Sequence, residues 1–384
     1  MKRRMMSTLA AALSAALFTA ATAPLALAAP TIGKIERVAE FTGAMPTGVT
    51  VSEDGRIFVN FPQWGDEVSY SVAELVDGKP VPYPDAAFNR ENADPAKGLI
   101  SVQSVVADGR GRVWILDTAA PGFAAPKAGG AKLVAVDLKT NRIVKTVVFP
   151  AEVILPSTYV NDMRFDFRVG AEGVAYVTDS SIRGPGAIIV LDLASGKALR
   201  RLSGDKSTSP DPAFSARVDG KPMVSTGPDG KPQPFKVAAD GIALSPDGAT
   251  LYFSPLSSRA LYSVPTRLLH DPGSSDADIA RAVRTLGNKG ASDGLEADAA
   301  GNVYGGDYEH DAIRQLGKDG RWRTIAQGPE LSWPDTLSVG PDGYLYVIAN
   351  QLQRQAGFNG GRDLRQKPYR LLRVKIGAAP APTH

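Results

Sequence analysis

Along most of this chain apolar and polar residues alternate with a period of two, the signature of half-buried β-strands, and glycine-containing turns interrupt the runs. Six segments repeat one shape, an apolar strand, a turn with Gly and a second apolar strand. They read TGVTVSEDGRIFVN (47–60), QSVVADGRGRVWILD (103–117), NDMRFDFRVGAEGVAYVTD (161–179), DGIALSPDGATLYFS (240–254), DGLEADAAGNVYGGD (293–307) and DTLSVGPDGYLYVIAN (335–350). Each is a β-hairpin by pattern and turn chemistry. Between several of them lies a second strand pair, such as KLVAVDLKTNRIVKTVVF (132–149) and AIIVLDLASGKALRRL (187–202), so that a unit holds four strands, the content of a propeller blade. The only helical hint is SVPTRLL (263–269). An all-β, six-bladed β-propeller is therefore predicted, because a sandwich needs fewer strands and no fixed motif period. The runs 32–41 and 368–376 both read as strands and are expected to share the last blade, closing the ring. The propeller is placed over 29–376, and the tail GAAPAPTH (377–384) is expected to be disordered.

The repeat carries a positional argument. Eight residues before the turn glycines Gly55, Gly111, Gly248, Gly301 and Gly343 stand Thr47, Gln103, Asp240, Asp293 and Asp335, and matching apolar residues in the third unit puts Asn161 at the same place. The first strand of each blade lines the channel, so these six oxygen-bearing residues should ring one of its mouths. The second strand returns to that face, where Asp117, Asp179, Ser254 and Asp307 stand six residues after their glycines. Such a ring is a seat for a hard divalent cation such as Ca²⁺ or for a polar small molecule. The structural alternative is that Asp and Asn before a strand cap turns and tie one blade to the next. Three aspartates facing one channel need a cation, shared protons or water, which weighs the ring as a whole toward function.

Composition narrows the chemistry. The opening MKRRMMSTLAAALSAALFTAATAPLALAAP has the basic start, apolar stretch and small-residue triplet Ala26-Leu27-Ala28 of a secretory signal peptide, so residues 1–28 are expected to be removed and the protein secreted or periplasmic. No later segment approaches the roughly 20 apolar residues of a spanning helix, so no membrane anchor is expected. The formal charge of +3 resides in Lys2, Arg3 and Arg4; the remaining 40 basic residues balance the 40 acids, which leaves no electrostatic pull toward nucleic acid. Without cysteine there are no disulfides, thiol nucleophiles or cysteine-held metals. No HExxH or phosphate-binding glycine loop appears. Of three histidines, His310 follows Asp307 closely and could reach the channel mouth as a proton carrier, although a surface loop histidine is the plainer reading.

The stretches ISVQSVVADGRGRVWILDTA, KLVAVDLKTNRIVKTVVFP, YVNDMRFD, AYVTDSS, GAIIVLDL, LYFSPLSSRALYSVPTRLL and LSWPDTLSVGPDGYLYVIANQL run in order over about residues 97–352 and resemble the yellow / major royal jelly protein family. That resemblance implies a secreted six-bladed propeller. Some insect members convert dopachrome, others bind biogenic amines, and bacterial members mostly carry the name dopachrome tautomerase-related. The insect cysteines are absent here. A weaker resemblance links the chain to the gluconolactonase / regucalcin propellers, which hold a divalent metal with a Glu, two Asn and an Asp. It implies Asn161, Asp240 and Asp293 as metal ligands, with Thr47 standing where the Glu belongs.

Two functions follow as expectations. A tautomerase or isomerase would use Asp240 or Asp293 as base, with Asn161 or a cation polarising a carbonyl and His310 carrying protons. A binding module would hold a small amine or aromatic ligand through Thr47, Gln103, Asn161, Asp335 and Asp307, with Trp333 and Phe235 as candidate stacking groups, although packing in the core or a blade is the plainer role of both. A metal-dependent lactone hydrolase is the third reading. Residues 205–239, with two DGKP turns, form the longest insertion before an inner strand and are expected to cover the site.

Overall fold

Each of the six repeats folds into an antiparallel hairpin, and two further strands extend each hairpin to a four-stranded sheet in the computed structural model, which describes residues 33–384 apart from 93, 228 and 229. The expected signal peptide 1–28 lies outside the described residues. Counting outward from the channel, blade 1 runs from Gly48–Val51 to Lys79–Pro82, blade 2 from Val102–Ala107 to Arg142–Val148 and blade 3 from Val160–Asp166 to Ala198–Arg201. Blade 4 runs from Ala239–Leu244 to Arg284–Asn288 and blade 5 from Leu295–Ala297 to Trp322–Gln327. Blade 6 takes Pro334–Val339, Tyr344–Ala349 and Tyr369–Lys375 from the end of the chain and Ile35–Phe41 from its start as the outermost strand. Pairing Phe41 with Tyr369 and Ile35 with Val374 closes the ring as expected and leaves no gap between first and last blades. The inner strands touch one another in chain order, and that of blade 1 touches that of blade 6.

Apolar side chains between blades form the core. Trp114, Leu116 and Leu133 of blade 2 interlock with Met163, Phe165 and Val177 of blade 3, and the Trp114 and Phe165 rings lie 5.0 Å apart. Each such fully buried side chain is worth roughly 1.5–3 kcal/mol. The helical hint becomes Thr266–His270, and a second short helix, Asp276–Ala282, follows it under a Ser275 cap; Leu269 and Ile279 turn into the core of blade 4.

The tail 377–384 departs from expectation. Instead of being disordered it lies across the face that carries the hairpin tips. Ala299 N–H donates to the Ala379 carbonyl at 2.8 Å and Phe167 N–H to that of Thr383 at 2.8 Å, while Thr383 Oγ1 donates to Asp108 at 2.6 Å. Pro380 and Pro382 bring no N–H groups, so a proline-alternating segment can lie on protein with few donors left unpaired.

Candidate functional site

Four inner strands carry a β-bulge at the predicted ring position. The register shifts between Val102 and Ser104, between Val160 and Met163, between Ala239 and Ile242 and between Pro334 and Leu337, which encloses Gln103, Asn161, Asp240 and Asp335. A bulge rotates the unpaired residue out of the ladder, and here it turns the side chain toward the channel. In blade 5, Asp293 lies just before the strand. Gly241 and Gly294 let successive blades close in at this level, since a Cβ would stand 2.4 Å from the Asp293 carbonyl oxygen in the first case and 2.8 Å from that of Asp335 in the second. Gln103, Asn161, Asp240, Asp293 and Asp335 consequently line one cavity of about 930 Å³.

Its floor is acidic, and the three aspartates on it are buried. Asp240 and Asp293 are hydrogen-bonded to each other through their carboxyl groups, which requires a shared proton. Burial, then the Asp293 charge, holds Asp240 well above the usual carboxylate range, and burial raises Asp293 as well. Asp335 is also held far up by burial and by Asp293, although Asn350 Nδ2 donates to it. Ser180 Oγ lies 3.0 Å from Asp240 Oδ2 and accepts from Asn161 Nδ2 at 2.7 Å, linking amide and carboxyl pair. Trp333 Nε1 donates to Asp293 Oδ2 at 2.9 Å, and its ring stacks on Tyr308 at 4.1 Å. Trp333 holds a left-handed φ of 56°, a strain of order 1 kcal/mol for a bulky residue, so its orientation is set by that stack and bond.

Aromatic rings wall the cavity. Trp64, Phe123 and Tyr159 form a stack with centroids 5.4 and 4.0 Å apart, and on another side Phe235 meets Phe358 edge-on at 4.9 Å. Tyr159 Oη donates to Gln103 Oε1 and accepts from Trp64 Nε1, both at 2.8 Å. Residues 225–227 and 233–237 of the long insertion also line the cavity, so the expected cover is in place. Phe235 lines the cavity and packs against the core; Trp333 is fully buried behind Asp293 and supports it instead of offering a free face. Sequence reading missed Trp64, Phe123, Tyr159, Ser180 and Arg183. The first two sit in loops outside the repeat, but Ser180, one residue past the second-strand Asp179, was within reach of the register argument.

Three predicted residues do not join the others. Thr47 is buried between blades 1 and 2, accepting from Asn60 Nδ2 at 3.0 Å and donating to the Gln103 carbonyl. Asp307 is buried beside Gly290 and outside the cavity lining. His310 bonds it at 3.0 Å from a side chain 65% exposed, and neither residue lines the cavity. The second-strand position is structural in other blades too: Asp117 accepts from Ile100, Ser101 and Ala119 N–H and from buried Lys132. The pentapeptide Gly290-Ala291-Ser292-Asp293-Gly294, also passed over, has the G-x-S-x-G spelling of a hydrolase elbow. It leads into a strand instead of a helix, and Ser292 is buried away from the cavity.

Asn161, Asp240 and Asp293 do share the cavity, yet they do not fit a Ca²⁺ site. Among the described residues no three His, Asp or Glu side chains converge on one point, Thr47 is turned away, and the two carboxyls bond each other. Six to eight oxygens are needed, with carboxylates ionised.

Residues 100–384 match the profile of the family described as Major royal jelly protein. Protein yellow of Drosophila madeirensis is 29% identical over 244 residues, covering 60% of this chain and 40% of that protein. Major royal jelly protein 1 of Apis mellifera is 28% identical over 213 residues, 53% and 45% of the two chains. The chain thus spans under half the length of the insect relatives it matches. In shape it is similar to a luciferin-regenerating enzyme (TM-score 0.55, 13% identity, 91% of this chain and 99% of that one). It is similarly close to the calcium-binding regucalcin of Agrobacterium tumefaciens (TM-score 0.54, 16% identity, 91% and 97%). At such identities the likeness is one of fold. With the profile running from the start of blade 2 to the end of the tail, the chain belongs to the major royal jelly protein family.

Proposed function

We propose that this is an exported propeller that moves a proton on a small aromatic or quinone-like ring, of the kind that dopachrome-converting yellow-family members act on. The observation that supports this reading is the hydrogen-bonded pair Asp240–Asp293 on the floor of an aromatic-walled cavity. A carboxylate and a carboxylic acid side by side are base and acid at once. The ionised member takes a proton from a ring carbon while the protonated one gives its proton to the carbonyl oxygen, so protons balance and no oxidant enters. Trp64 and Phe123, both partly exposed on the cavity wall, offer the ring a stacking surface.

The acidic floor favours a second reading, retention of a cationic aromatic amine without conversion, because Asp335 adds a third carboxyl beyond the pair. One experiment separates them: the purified protein is given dopachrome, whose visible absorption decays on tautomerisation, and is titrated calorimetrically with dopamine. Turnover that disappears in Asp293→Asn supports the enzyme, and dopamine binding without turnover supports the binding module. Neither signal sinks both. Export is tested by the mass of secreted material, expected to start at Ala29.

A further inference from the structure

We propose that the tail 377–384 is an internal plug that closes the channel at the end opposite the cavity. Its course carries this. Ile376 and Gly377 N–H both donate to the Gly343 carbonyl at the hairpin tip of blade 6; the chain then bonds Ala299 at the tip of blade 5, and Thr383 reaches Phe167 and Asp108 at the tips of blades 3 and 2. Blades 5 and 2 are opposite each other in a ring of six, so the segment crosses the channel axis.

Beneath it lies a chamber of about 80 Å³, whose wall is built from the inner strands of all six blades and whose lid is residues 380–383. Apolar and polar side chains share its wall. Thr50, Asp162, Arg164, Glu296 and Ser338 face it, and Arg164, with its side chain only 10% exposed, leaves Nε without a hydrogen bond while its other nitrogens bond Asp162, Glu296 and two carbonyls. A space of that size, with these polar groups on its wall, has room for a few waters, and the plug is what would part them from bulk solvent. The alternation of proline with small residues suits this path: an extended segment with fixed φ at Pro380 and Pro382 and methyl side chains at Ala379 and Ala381 crosses a narrow opening with little conformational entropy to lose. With that end shut, solutes reach the aspartate floor through one mouth, past the insertion 205–239. This inference does not depend on what the cavity binds.

The test uses the absence of cysteine from the sequence. Ser338, which faces the chamber and is buried, is changed to Cys as the single thiol, and its reaction with a small charged methanethiosulfonate is timed in the full chain and in a chain stopped after Ile376. Truncation should speed labelling about tenfold or more, and the free peptide GAAPAPTH should slow it again. Equal rates in both chains would overturn the plug, since the thiol would then be reached from the cavity side or not at all. If truncation unfolds the ring, Thr383→Val in the full Ser338→Cys chain replaces it; that change removes the bond to Asp108 and keeps the length. A rate about threefold faster supports the plug and an unchanged rate refutes it.

Discussion

Replacing Asp293 by Asn should make the propeller less sensitive to rising pH. In the native chain burial holds Asp240, Asp293 and Asp335 above their ordinary range, with the Asp293 charge adding to it for Asp240 and Asp335, so the folded protein keeps protons that the unfolded chain has lost. A group whose folded pKa is raised contributes stability that is complete below its unfolded pKa, about 4, and is lost as pH climbs toward the folded value. Each proton retained over one pH unit costs about 1.4 kcal/mol. Asparagine at 293 keeps an oxygen for Trp333 Nε1 and offers an amide N–H to Asp240 in place of the shared proton, so the packing survives while one retained proton disappears. Above pH 5 the stability difference between variant and native chain should move in the variant's favour, by no more than about 1.4 kcal/mol per pH unit for the one proton. A comparison between about pH 5 and 6.5 stays below the titration of buried Lys289, whose pKa burial lowers to about 7. Urea unfolding of both proteins at the two pH values measures the difference. Parallel pH profiles would refute the shared-proton floor, and so would a loss of several kcal/mol by the variant at both pH values.

Other outcomes follow from the same geometry. Tyr159→Phe deletes the hydroxyl that joins Gln103 to Trp64 and should lower stability by about 1–3 kcal/mol in denaturant titrations, because two buried partners lose their bonds. Asp247→Asn changes an exposed hairpin tip at the far face, where Asp247 accepts from Ser245 and Ala249, and should leave calorimetric ligand affinity unchanged. His310→Gln should likewise preserve turnover within about twofold, since the imidazole is mostly solvent-exposed and outside the cavity. A chain ending at residue 366 loses the strand Tyr369–Lys375, leaves Ile35–Phe41 unpaired and should melt well below the full protein, or not fold.

The repeat explains how much could be read in advance. Strand alternation and turn glycines are local signals, so six hairpins, four-stranded blades and the terminal pairing of blade 6 were legible, and the shared register placed Gln103, Asn161, Asp240, Asp293 and Asp335 at one mouth. The same register misplaced Thr47, whose hydroxyl is taken up between blades 1 and 2 by Asn60 and the Gln103 carbonyl, a contact that the local pattern does not show. It misplaced Asp307 and His310 because the end of a second strand is taken up by bonds to its own blade and to the segment entering it, as at Asp117 and Asp179.

What the sequence determined by itself is therefore the set of elements and their order, since these depend on periodicities of two residues and on turns a few residues long. Only the tertiary structure decided the content of the site. The stack of Trp64, Phe123 and Tyr159, the support of Asp293 by Trp333 and the crossing of the channel by the tail join residues far apart in the chain. Such contacts exist only once the ring has closed, because packing between blades, and not the local pattern, brings those residues together.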